Sequence, residues 1–138
     1  MPQSSAKTAG SVSRTDTFAQ FFKNIPEGVF IGTFCPTSNP KNPSKIKEKT
    51  LVANPYLRNI FGYQATIPEA EIQLFADSSF ADPESRRAFL DQLIDQKSVT
   101  DYLLRMRKIN GSPVWVEITA SVTPLDRDGS VRIEALIR

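Results

Sequence analysis

VTDYLLRMRKINGSPVWVEITASVTPLDRDGSVRIEALI, residues 99–137, is the stretch that decides the fold. Tyr102, Leu104 and Met106 alternate with Arg105 and Arg107, and Val114, Val116, Ile118, Ala120 and Val122 alternate with Trp115, Glu117, Thr119 and Ser121. Val131, Ile133, Ala135 and Ile137 repeat the pattern. A period of two places one apolar set on each strand's buried face and the polar set on the other. Asn110-Gly111 and Asp128-Gly129 are favoured hairpin dipeptides, so three consecutive antiparallel strands joined by tight turns are predicted, the first turn of two residues.

Working back from these strands, Asp82-Pro83 is a cap and first-turn pair. It opens a helix through about Gln96 whose apolar stripe is Phe89, Leu90, Leu93 and Ile94. Asn54-Pro55 opens a shorter helix closed by Gly62, with Leu57, Ile60 and Phe61 on one face. Between the two, a short helix is expected around Pro68 to Phe75. Glu27 to Phe34 and Thr50 to Ala53 read as two further strands, separated by a proline-rich and lysine-rich loop over residues 35–49. Phe18, Phe21, Phe22 and Ile25 fall at helical spacing before Pro26, an amphipathic helix over 15–26, and residues 1–14 read as a flexible tail. The sum is an α+β domain over 15–138: a five-stranded antiparallel sheet with helices on one face and an N-terminal capping helix.

Composition narrows the function classes. At 138 residues there is material for one core. A net charge of +2, with acids and bases interspersed, argues against a nucleic-acid partner. The sequence holds no run long and apolar enough to span a bilayer, and its start lacks the apolar core of a signal peptide, so no membrane contact and a cytoplasmic location are expected. The chain has one cysteine, Cys35, and no histidine. A disulfide framework within one chain, a multi-cysteine metal site, a Ser-His-Asp triad and histidine-ligated haem are thereby excluded.

Seven ordered segments resemble the PAS family: Glu27-Gly28-Val29-Phe30, Ala53-Asn54-Pro55-Tyr56, Phe61-Gly62-Tyr63, Asp82-Pro83-Glu84-Ser85-Arg86, Arg107-Lys108-Ile109-Asn110-Gly111, Val114-Trp115-Val116-Glu117 and Asp128-Gly129-Ser130-Val131. The resemblance implies a PAS fold and a sensory, signal-transducing module without catalysis of its own, of the kind attached to a histidine kinase, as in two-component systems, or to a diguanylate cyclase. It departs from the family in the long 35–49 connection, where a tight turn is usual. The cysteine-bearing motif of the light-sensing flavin relatives is missing, so flavin-cysteinyl photochemistry is not expected, and the cofactor stays unknown.

The resemblance further implies a small-molecule pocket between sheet and helices. Leu57, Phe61, Phe75, Phe89, Tyr102, Leu104, Met106, Val116 and Ile118 are the candidate lining, and the alternative is that they only fill the core. Trp115 alternates onto the opposite face of the sheet. The stripe of Phe18, Phe21, Phe22 and Ile25 is the apolar surface available to cover that face, within one chain or across a homodimer. A ligand-free dimerisation or relay module is the alternative function. A small cone-shaped isomerase is a remote one, because it needs a carboxylate in an apolar interior and the strand alternation puts no acid at an inward position.

Overall fold

The computed structural model describes residues 26–35, 48–125 and 130–138. Five strands form one antiparallel sheet: β1 (Gly28–Phe34), β2 (Glu48–Ala53), β3 (Ser98–Arg107), β4 (Pro113–Pro124) and β5 (Val131–Ile137). Their spatial order is β2-β1-β5-β4-β3, so the last strand in sequence lies at the centre beside the first. The registers Ile118↔Ile137, Ala120↔Ala135 and Val122↔Ile133 line up the apolar sets of β4 and β5 on one face. Phe30↔Ala135 and Phe34↔Val131 continue that face onto β1.

Helices α1 (Pro55–Phe61) and α2 (Pro83–Gln96) follow β2 and precede β3. Helix α1 packs on β1, and α2 packs on β3 and β4. Both begin as their sequences demand. Asn54 Oδ1 accepts the Leu57 N–H at 3.0 Å with Pro55 in the first turn, and Asp82 Oδ1 accepts the Ser85 N–H at 2.7 Å ahead of Pro83. Gly62 ends α1 at φ 81°, a left-handed conformation that a side chain disfavours.

Three expectations are corrected. The first hairpin is not a two-residue turn at Asn110-Gly111. The last β3–β4 pair is Arg107↔Pro113, and Lys108 N–H bonds Ser112 O at 2.8 Å across a five-residue loop, 108–112. Gly111 takes φ 89° and its N–H donates to Lys108 O at 2.9 Å, while Asn110 does not take the positive φ that a two-residue type I′ turn needs, so an odd number of residues separates the strands. Strand β2 starts at Glu48, so the irregular connection does not extend to 49. The short helix expected around 68–75 is shorter than that span, a single 3-10 turn at Glu69–Glu71, followed by a second at Asp77–Ser79. Outside the alternating runs the register is irregular at two places, between Ile31 and Gly32 and between Val99 and Tyr102. At the second, Asp101 adopts φ 49°. The tail 1–14, the stripe at 15–25 and the Asp128-Gly129 turn lie outside the described residues.

Candidate functional site

The nine candidate lining residues converge. Leu57, Phe61, Phe75, Phe89, Leu104, Met106, Val116 and Ile118 are buried in a single cluster, and part-buried Tyr102 packs against it. Its centre is aromatic. The Phe75 ring lies 5.1 Å from Phe30, 6.1 Å from Phe34, 6.4 Å from Phe80 and 6.0 Å from Phe89, centroid to centroid. Phe89 in turn meets Tyr102 edge-on at 5.1 Å. Separations of 5–6 Å are those of rings in mutual contact, so these aromatic side chains pack on one another.

Two polar side chains organise the rim of this core. Asn54 accepts from Val29 N–H at 2.8 Å while capping α1, and its Nδ2 donates to Glu27 O at 2.8 Å. One amide thereby fastens the start of β1 to the start of α1. Arg58, only 7% exposed, donates Nε to Ala53 O at 3.0 Å. Its Nη1 reaches Gln64 O at 3.3 Å, Ala65 O at 3.2 Å and Ile67 O, and Nη2 pairs with Glu69 at 3.1 Å. A guanidinium has five donors in a fixed plane, which suits it to gathering carbonyls of an irregular loop.

Strand β2 also puts an acid inward, against the expectation from alternation. Glu48 pairs with Phe34, and Thr50 with Gly32, on the apolar side of the sheet. The irregularity that follows turns Ala53 to the same face although it is three residues from Thr50. Both Glu48 oxygens accept the Phe75 N–H, at 3.1 and 3.2 Å. Burial pushes the carboxyl up to about 7, opposed by the N–H donors of Phe75 and Leu74 and by the charge of Arg86. Tyr63 is also raised, by burial and by the Glu48 charge.

This gives a pH dependence of definite sign. Below about 4.5 the carboxyl is neutral whether the chain is folded or not, and its stabilising contribution is complete. As pH rises towards about 7 the unfolded chain ionises first, so folded protein holds the extra proton and stability falls. The urea midpoint of wild type is therefore expected to drop relative to Glu48→Gln between pH 5 and 8. A gap that stays constant or closes would contradict the placement of Glu48.

The opposite face of the sheet is open among the described residues. A groove of about 650 Å³ lies over β2, β1 and β5 and reaches β4 and β3. Its apolar lining includes Val29, Ile31, Leu51, Val52 and Leu136, and Thr119, Ser121, Arg132 and Glu134 edge it. Farther along the same face Trp115 is 63% exposed and Leu103 61% exposed. Trp115 thus lies where its alternation puts it. No helix among the described residues is long and apolar enough to cross a membrane.

A family model described as "PAS domain" matches residues 26–137. No curated protein sequence matches. Among solved structures, similarity extends to a PAS domain from a two-component sensor histidine kinase, at TM-score 0.61 and 14% identity over 93% of this chain and 97% of that one. A PAS domain from Colwellia psychrerythraea superposes at TM-score 0.60 and 13% identity, covering 90% and 94% of the two chains. An RNA-binding light-oxygen-voltage receptor matches at TM-score 0.59 and 18% identity over 88% of this chain. The chain spans about a third of that receptor's length, 32%.

Proposed function

The chain belongs to the PAS domain family, and from that membership we propose that it is a sensory signalling module that relays its state to an output domain through the outer face of its sheet. The observation that carries this reading is the apolar groove in which exposed Leu51 and part-exposed Ile31, Val52 and Leu136 lie over buried Val29. Apolar surface left accessible in this way marks an interaction site. The occupant we assign is the stripe of Phe18, Phe21, Phe22 and Ile25, contributed by a second copy of the chain. In sequence that stripe ends at Ile25, three residues before Gly28, where β1, one wall of the groove, begins. Catalysis is assigned to the output domain, of the histidine kinase or diguanylate cyclase kind.

On this reading wild type sediments as a homodimer. Leu136→Asp places a charge in the groove and is expected to give a monomer with an unchanged far-ultraviolet circular dichroism spectrum. A wild type that sediments only as a monomer at tens of micromolar would sink the proposal.

A second reading has a small molecule entering the inner layer beside Tyr102, the part-buried member of the aromatic cluster. Native mass spectrometry of the purified chain tests it. A bound mass released on denaturation supports this reading, and a bare polypeptide mass supports ligand-free relay.

A further inference from the structure

Glu48 and Arg86 hold the two backbone groups of one residue. The Glu48 carboxylate, from the first position of β2, accepts the Phe75 N–H with both oxygens. Arg86, from α2, donates Nε to the Phe75 carbonyl at 2.9 Å. The ring of that same Phe75 is in contact with Phe30, Phe34, Phe80 and Phe89. A change of charge at one carboxylate therefore acts on the peptide that aims the central ring of the core.

We propose that Glu48 is a proton-operated latch: ionised, it grips the Phe75 N–H, and on taking a proton from solvent it loosens that grip and the aromatic cluster repacks. A hydrogen bond to an ionised acceptor is roughly twice as strong as one between neutral groups, so one proton has leverage on this contact. The step is a simple protonation that raises the domain's charge by one.

The surroundings of Glu48 bias the latch in known directions. Arg86 of α2 favours the ionised form, and burial favours the neutral one. Tyr63, just past α1, feels the Glu48 charge. Asp77 pairs with Arg86 at 3.1 Å and draws on the same guanidinium. Phe34, opposite on β1, is apolar. Lys47 precedes Glu48 in sequence and lies outside the described residues. Arg86 Nη2 is buried with no hydrogen-bond partner among the described residues, so the guanidinium keeps an unspent donor beside the latch. The latch rests on the sensory reading only in making the proton a stimulus; the local coupling stands without it.

The test is a pH titration of the full 138-residue chain by isotope-edited NMR from pH 5 to 8.5. The expected result is that the Glu48 Cδ, the Phe75 amide proton and the ring protons of Phe30, Phe75 and Phe89 shift together with one midpoint near 7. Glu48→Gln should flatten the Phe75 amide curve, and Arg86→Gln should move the Glu48 midpoint upward. Should Glu48→Gln fail to fold, the shared midpoint in wild type decides. A Glu48 that titrates in the ordinary carboxylate range overturns the latch. So does one that titrates near 7 while the Phe75 amide and the rings stay still. A monomeric wild type with the shared titration intact would remove the outer-face relay and keep the latch, whereas a dimer with a flat Phe75 amide would do the reverse.

Discussion

Phe75→Ala is expected to lower folding stability by about 3–5 kcal/mol, read from urea denaturation. Phe75 is fully buried and its ring touches four others drawn from β1, α2 and the segment before α2. Truncation removes the transfer free energy of the ring and leaves a void among side chains that belong to different elements. The backbone cannot sink into that void, because Glu48 and Arg86 fix the N–H and carbonyl of the same residue. Poor relaxation puts the cost at the high end of such substitutions. Trp115→Ala is the control: at 63% exposed on the outer face, its loss should change stability by no more than about 0.5 kcal/mol in the monomeric Leu136→Asp background. A cost below about 1 kcal/mol for Phe75→Ala would show that this ring is not central to the core.

Arg58→Met is expected to cost about 3 kcal/mol although it keeps the length and apolar stem of the side chain. The replaced guanidinium serves the carbonyls of Ala53, Gln64, Ala65 and Ile67 and the carboxylate of Glu69. Glu69 is half exposed and can return to water, so the ion pair itself contributes little. The loss comes from carbonyls left without a donor at the end of β2 and through the loop after α1. Hydrogen exchange should accelerate locally over residues 63–69, while the amides of β4 and β5 change only with the global stability. Uniform acceleration would instead mean that Arg58 acts on the whole domain.

The two predictions involve residues of opposite legibility. Phe75 could be placed in the core because aromatic residues between helices of an α+β domain have nowhere else to go. Arg58 could not, since Leu57, Ile60 and Phe61 define the apolar face of α1 and an arginine between them reads as solvated. Nothing in the local pattern says that the following loop will turn its carbonyls towards it.

The sheet was legible wherever the period of two runs unbroken. Val114 to Val122 and Val131 to Ile137 lie as their alternation requires, because each pairs with a neighbour of the same period. The reading failed where the period breaks. Thr50 and Ala53 both face inward across an irregularity, so a strand read only from Thr50 to Ala53 has no consistent parity to carry back to Glu48. Glu48 was also masked by the lysines before it, which made it look like the end of a solvated loop. Only the structure fixes the parity: Thr50, two residues on, is buried and its hydroxyl donates to Ile72 O at 2.7 Å, so Glu48 faces the same way. Likewise, Asn110-Gly111 is a good hairpin dipeptide, but only Gly111 takes a positive φ, at 89°, and the strand register leaves an odd number of residues in the loop.

The two faces of the sheet differ, a packed aromatic interior with a titratable acid at its edge on one side and an apolar groove on the other, where the proposed function seats a second copy. Isotope-filtered NMR on a dimer mixed from labelled and unlabelled chains tests that seating most directly. The expected result is intermolecular Overhauser contacts from the rings of Phe18, Phe21 and Phe22 to the methyl groups of Ile31 and Leu136. Contacts from those rings to the same methyls only within one chain, or none at all, would contradict the account.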